Sequence, residues 1–190
     1  QKTLKELKDL AEKKLEIINE NKNSLQLQIN RAKKLTLEED PLKNLSSFLE
    51  KTHSLITTIT NFTEKDIYQT ELEELSNAIK DKCVEIINKI STLDELQVIY
   101  TLIETNKDIF TKNHLDELKE VLIERRNQVI IEGFKTTINA ELDLRTLSNL
   151  KHDITRFCDE NKLIPDELIT LLHEREKEVV NEKIDEICRV

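Results

Sequence analysis

The chain has 190 residues, a net charge of −9, 35% charged and 37% hydrophobic residues, one glycine and two prolines. So few turn residues exclude a strand-rich fold, which needs turns every eight to twelve positions or so, and the charge disfavours nucleic acid, whose phosphates reward a basic face. No run of about eighteen apolar residues is present to cross a membrane, and 28 leucines and 22 isoleucines at helical spacing argue against disorder.

The first element is residues 1–29, a helix of a truncated preceding repeat. It is either continuous or broken at Asn19-Glu-Asn-Lys-Asn23. Its charge departs from the remainder: residues 1–35 carry nine Lys/Arg against five Asp/Glu, a net +4, which leaves −13 elsewhere. Such a segment balances charge within the protein, or touches anionic lipid or an acidic partner. Three hairpin repeats are then expected, over residues 30–87, 88–138 and 139–190.

Two markers define the repeats. Ile29-Asn30, Ile87-Asn88 and Ile138-Asn139 each close a helix, and each precedes a polar connection with a leucine-rich start, at Leu42/Leu45, Leu93/Leu96 and Leu147/Leu150. Asp40 before Pro41 offers a cap with proline at the first helical position, Thr92 with Glu95 offers a capping box, and Asp143 offers a further cap. The second marker is an apolar pair just before the next helix: Ile67-Tyr68, Ile109-Phe110 and Leu163-Ile164. There a hydrophobic staple fixes the angle at which the chain joins the helix, so Tyr68, Phe110 and Ile164 are expected to be buried at equivalent hairpin tips. Thr70 with Glu73 has capping-box spacing beside the first of these starts, and Thr111 is a natural cap at the second. The last helix should place Leu168, Leu172, Val179, Val180, Ile184 and Ile187 on one face.

The expected fold is therefore all-α: an elongated array of antiparallel helical hairpins, six or seven helices in all, starting near residues 41, 69, 93, 112, 144 and 165. A repeat of about 50 residues cannot bury its apolar stripe alone, and stacking on its neighbours buries it. A spectrin-like bundle is the structural rival. It would need helices running unbroken across Ile90–Leu93 and Ile138–Leu147, where the caps argue for breaks.

The segments Thr92–Leu96, Asn106–Phe110, Thr146–Leu150 and Asn161–Pro165 carry a pattern of leucine-rich helix, Asn-Lys loop and second helix. In this the chain resembles helical-repeat segments of large type IV-secreted effectors of intracellular bacteria. The resemblance implies a spacer or docking surface acting in a host cytosol. It carries over no functional residue.

Motifs that would carry chemistry are incomplete. His173-Glu174 opens like a zinc-protease helix, but Lys177 stands where the second histidine should be. His152 and Cys158 are six apart and face differently. Cys83, Cys158 and Cys188 form no disulfide framework, which suits a reducing compartment. Paired carboxylates early in the helices, such as Asp116-Glu117 and Asp166-Glu167, answer the helix dipole. No catalytic residue, metal ligand or cofactor is expected. Arg125, Arg126 and Arg175 lie on or beside apolar stripes. They either snorkel or act as partner-binding or register-setting residues. The chain starts at Gln1 and has no methionine, so a fragment of a larger polypeptide is expected, without a signal-peptide pattern at its start. Its expected function is protein–protein interaction in the cytoplasm, with anionic-lipid association through the basic first helix as the alternative.

Overall fold

The computed structural model describes residues 3–36, 39–62 and 65–189. They form seven α-helices: α1 (Leu4–Lys33), α2 (Pro41–Phe62), α3 (Gln69–Lys89), α4 (Leu93–Thr105), α5 (Lys112–Ala140), α6 (Leu144–Asn161) and α7 (Asp166–Cys188). Short 3₁₀ turns, Lys65–Tyr68 and Lys107–Ile109, lead into α3 and α5. No strand occurs among the described residues. Every helix from α2 onwards starts within one residue of its expected position.

The starts arise from side-chain chemistry. Free N–H groups in the first turn need acceptors, and polar side chains supply them. The Thr3 hydroxyl accepts from Glu6 N–H at 3.3 Å, while the Glu6 carboxylate accepts from Thr3 N–H at 2.7 Å, a complete capping box. Asp40 accepts from Lys43 N–H at 3.1 Å, Thr92 from Glu95 N–H at 3.3 Å, Thr111 from His114 N–H at 3.3 Å and Asp143 from Thr146 N–H at 3.1 Å. The Thr70–Glu73 box does not form. The preceding 3₁₀ turn brings the helix start to Gln69, so Thr70 lies inside α3 and Glu73 accepts from the Gln69 amide instead.

Helix α1 is continuous through Asn19–Asn23 and runs past Ile29 to Lys33. Asn21 donates to the Tyr68 hydroxyl at 3.0 Å and Lys22 pairs with Glu71 at 3.0 Å, so this polar stretch is anchored on the start of α3. From there α1 and α3 run side by side in the same direction, and Lys33 reaches Glu74 further along α3. That is the direction expected for alternate helices in an array of antiparallel hairpins.

Packing divides the chain into two compact units, Gln1–Ile123 and Glu124–Val190. The division falls inside α5, not at a hairpin boundary. The first half of α5 is bonded to α3: His114 Nδ1 lies 2.7 Å from the Ser76 hydroxyl, and Lys80 pairs with Glu117 at 3.1 Å. The second half belongs to another core. Ile138 clusters with Leu147, Ile154, Cys158, Leu168, Leu172 and Val179, and Phe134 meets Phe157 edge-on at 5.7 Å. In the first unit the core includes Leu25, Ile29, Leu49, Tyr68, Leu75 and Ile87, all fully buried. One of its buried polar pairs is Gln28 with Thr52, Gln28 donating to Thr52 at 2.8 Å and Thr52 to the Phe48 carbonyl at 2.9 Å.

Two of the three expected tip residues, Tyr68 and Phe110, are buried. Ile164 is not: it is 82% exposed. The third connection is built differently from the other two. Lys162 adopts the left-handed conformation, φ 56°, ψ 39°. Leu163 N–H reaches the Cys158 carbonyl at 2.8 Å and Lys162 N–H the Asp159 carbonyl at 3.3 Å, a Schellman ending. Such an ending places its apolar contact on the residue after the left-handed one. Leu163 therefore packs against the cluster that includes Cys158, and Ile164 points to water.

A non-glycine residue at that position carries avoidable strain. Lys162→Gly should raise stability by about 0.5–1 kcal/mol, visible as a higher melting temperature of the second unit. An unchanged or lower value would mean that the left-handed turn is not held in solution.

Candidate functional site

The most conspicuous surface feature lies on the first half of α1. Leu4, Leu7, Ala11 and Ile18 recur at helical spacing on the face that carries Leu25, Ile29 and Ala32 further along. The later residues are buried, whereas every residue from Thr3 to Ile17 is exposed. Exposure is 88% at Leu4, 50% at Leu7, 53% at Leu10, 59% at Leu15 and 48% at Ile17. The cause is the stagger of the two helices: α1 meets the start of α3 only at Asn21 and Lys22. Since α3 begins level with Asn21 and Lys22, the preceding 17 residues or so run about 26 Å beyond it at 1.5 Å per residue.

The charge of this half differs from that expected of the basic N-terminal segment. Between Leu4 and Glu20 there are four lysines and five acidic residues, so the uncovered stretch is close to neutral. The described positive excess sits at Lys22, Arg31, Lys33 and Lys34, beyond the uncovered face, where Lys22 is paired with Glu71 at 3.0 Å and Lys33 with Glu74 at 2.9 Å.

The junction between the uncovered and covered halves is polar and tight. Asn21, Lys22, Tyr68 and Glu71 meet there. Burial pushes the Glu71 carboxyl up, but the Lys22 ammonium bonded to it and the backbone N–H of Glu71 together outweigh this and hold it below the usual carboxylate range. The other carboxylate oxygen, Oε2, is buried without a hydrogen-bond partner among the described residues. The net result is a clamp between the two helices, with Tyr68 as its apolar part.

The three arginines end in different places. Arg126 is exposed. Arg125, with 16% of its side chain exposed, donates to Gln128 at 3.0 Å and lies 4.0 Å from Glu132 along the same helix. Arg175, with 14% exposed, reaches across the second unit. Its Nε donates to the Glu141 carbonyl at 3.1 Å, and Nη1 lies 2.8 Å from Glu178 and 3.7 Å from Glu182. It therefore ties α7 to the turn after α5 and satisfies a carbonyl that the helix end leaves free. Arg175→Ala should cost about 1–2 kcal/mol, with little recovered by Arg175→Lys because a single ammonium cannot span both acceptors. Equal stability of the wild-type and alanine proteins in urea unfolding would remove this role.

A second uncovered stripe occurs on α7. Leu168, Leu172 and Val179 are buried, but Val180, Ile184 and Ile187 are 39%, 51% and 75% exposed. The six residues expected on one face therefore divide into a buried set and an exposed set. At 100° per residue the six spread over roughly 160°, with Leu168, Leu172 and Val179 on one side of the span and Val180, Ile184 and Ile187 on the other.

The groups capable of chemistry are scattered. His53, His152 and His173 are exposed, and His114 is engaged by Ser76. Among the described residues no three His, Cys, Asp or Glu are placed to hold a metal ion. Burial pushes the Cys83 thiol up to about 12. Cys158 is also raised, by burial and then by Asp159, while Cys188 is exposed. A recess of about 280 Å³ lies where the two 3₁₀ turns meet, lined by Ile56, Leu72, Ser76, Ile109 and Phe110 with Asp66, Glu73 and Asp108 beside them. No described helix is long and apolar enough to cross a membrane.

Charge singles out residues 1–35 in the sequence, and the apolar stripe within them went unseen. The available signal was leucine and isoleucine at helical spacing from Leu4 to Ile18. Comparison with protein families, characterised proteins and solved structures finds no match to this chain.

Proposed function

We propose that the chain is a non-catalytic helical-repeat scaffold whose first helix docks a protein partner. The observation that carries this reading is the uncovered first half of α1, where Leu4, Leu7, Leu10, Leu15 and Ile17 are 48–88% exposed within roughly 160° of the helix surface. Single exposed leucines are ordinary, but a contiguous apolar face marks an interaction surface, and an amphipathic helix offered along its length is a recurrent docking element. The likeness to type IV-secreted effector repeats supports a host cytosol as the place of action and a host protein as the class of partner.

Association with anionic lipid is the second reading. It is less favoured, because interfacial helices flank their apolar face with a cationic one, and the uncovered half of α1 sets four lysines against five acids. Affinity capture from host-type cytosol tests the first reading when wild type is run beside Leu7→Glu. Partners retained by the wild type and lost by the variant are expected. Co-sedimentation with phosphatidylserine vesicles that is lost in the same variant, with no protein captured, would overturn it in favour of lipid.

A further inference from the structure

We propose that a cationic groove between α1 and α2 binds a short acidic peptide segment of a partner protein, with an aliphatic side chain of that segment seated against its apolar part. The groove lies beyond the uncovered half of α1, and the proposal does not rest on that surface.

The α1–α2 hairpin assembles the groove. Gln28 of α1 donates to Thr52 of α2 at 2.8 Å, which sets the register of the two helices. Arg31 is three residues further along α1 and Lys51 directly precedes Thr52, so both cations stand within about one helical turn of that bond. They line a groove of about 410 Å³ whose apolar part is the buried Phe48 and the half-buried Leu35. Among the described residues that line it, none is acidic. Neither Arg31 nor Lys51 has a carboxylate partner among the described residues, whereas Lys22 and Lys33 on α1 are paired with Glu71 and Glu74.

Local structure accounts for one of these cations and not the other. Arg31 is in the last turn of α1, where the helix dipole favours positive charge. Lys51 is midway along α2, where no helix end attracts it. Glu50 is next to it in sequence but about 100° away around the helix, and it does not line the groove. Asp40 is engaged at the start of α2 by Lys43 N–H. Two cations on facing helices, roughly 10 Å apart, repel one another, and salt screens this only in part. An anion set between them turns that repulsion into attraction.

Charge selects an anionic occupant, and extent selects its class. The sequence beyond residue 35, α2 included, carries −13. An extended polyanion, whether nucleic acid or an anionic bilayer, meets that charge as well as the groove. A short acidic segment meets the groove alone. Arg31 offers its guanidinium fork to one carboxylate and Lys51 its ammonium to another. The hydroxyls of Thr36 and Ser47 line the same groove, within reach of peptide N–H and carbonyl groups. Leu35 and Phe48 are left unused by a bare anion, and an aliphatic side chain between the carboxylates fills that part.

Calorimetric titration of the full chain with a capped heptapeptide, one leucine between three glutamates on either side, tests the proposal. Binding is expected with a Kd of roughly 10–200 µM. It should weaken by at least about tenfold in Arg31→Gln/Lys51→Gln. Both side chains are exposed, so this variant should keep the circular dichroism spectrum and urea midpoint of the wild type. Leu7→Glu should bind the peptide as the wild type does, which separates the groove from the uncovered half of α1. Serine in place of the peptide's leucine should weaken binding about fivefold, and sodium chloride raised to about 0.5 M should weaken it severalfold. No binding at 2 mM peptide, or equal binding by the double variant, overturns the proposal. Equal binding of a peptide with lysines in place of its glutamates does the same. Phosphatidylserine vesicles that sediment with the wild type and not with the double variant, while the peptide fails to bind, overturn it in favour of lipid. If the peptide fails to bind and Leu7→Glu still loses a captured partner, the groove fails and the docking role of α1 stands.

Discussion

Tyr68→Ala is expected to lower the unfolding free energy of the Gln1–Ile123 unit by about 3–5 kcal/mol. Three effects combine at this position. The ring is fully buried, so truncation removes the transfer free energy of a large side chain and leaves a cavity. The hydroxyl accepts from Asn21, so its loss strands a half-buried amide. And the ring sits where α1 meets the start of α3, next to the Lys22–Glu71 pair, so the cavity opens beside a partly buried ion pair. Tyr68→Phe separates these effects. It keeps the ring and removes the hydroxyl, and should cost only about 0.5–1.5 kcal/mol. Urea unfolding monitored by circular dichroism measures both. A change below about 1 kcal/mol for the alanine protein would mean that Tyr68 does not anchor α1 on α3.

Leu172→Ala should be comparably damaging in the Glu124–Val190 unit, at about 2–5 kcal/mol. Leu172 is fully buried among Ile138, Leu147, Ile154 and Leu168, and each of those would lose contacts that nothing else replaces. The informative control is Ile164→Ala, only eight positions earlier and equally aliphatic. At 82% exposure it should cost less than about 0.5 kcal/mol. The repeat pattern on its own would place Ile164 beside Tyr68 and Phe110 and give it a similarly large effect. A large loss in Ile164→Ala would therefore show that the Schellman ending at Lys162 is wrong.

Helix starts were legible in the sequence because local chemistry sets them: Asp40-Pro41, Thr92 and Asp143 cap the helices they precede whatever the tertiary context. Tyr68 and Phe110 were legible because an apolar residue before a capped helix has few places to go. Ile164 was misread because its connection turns on a left-handed lysine, and lysine carries no signal for that conformation as glycine would. The stretch Asn19–Asn23 looked like a possible break because its residues favour turns, yet Asn21 and Lys22 are held in the helix by bonds to residues some fifty positions away, Tyr68 and Glu71. The division within α5 was hidden for a related reason. Nothing in the composition of that helix says that its two halves serve different cores. Among the candidate site residues, Arg175 has an inter-helix role and Arg126 faces water, although both sit in similar Glu-Arg contexts. The difference lies in whether a helix end with a free carbonyl happens to be within reach.

The three cysteines have a consequence for how motion in this chain can be timed. Cys83 is sealed within the first unit and Cys158 within the second, while Cys188 stands in the open. A thiol reacts only as the thiolate and only when exposed, so a modifying reagent added to the native protein meets three clocks. Cys188 runs at the reagent's own speed and calibrates the measurement. Cys83 and Cys158 tick only when their surroundings open, and each rate reports the opening free energy of its own part of the chain. One alkylation time course, resolved peptide by peptide in a mass spectrometer, thus ranks the two units by how often each breathes, with no probe introduced.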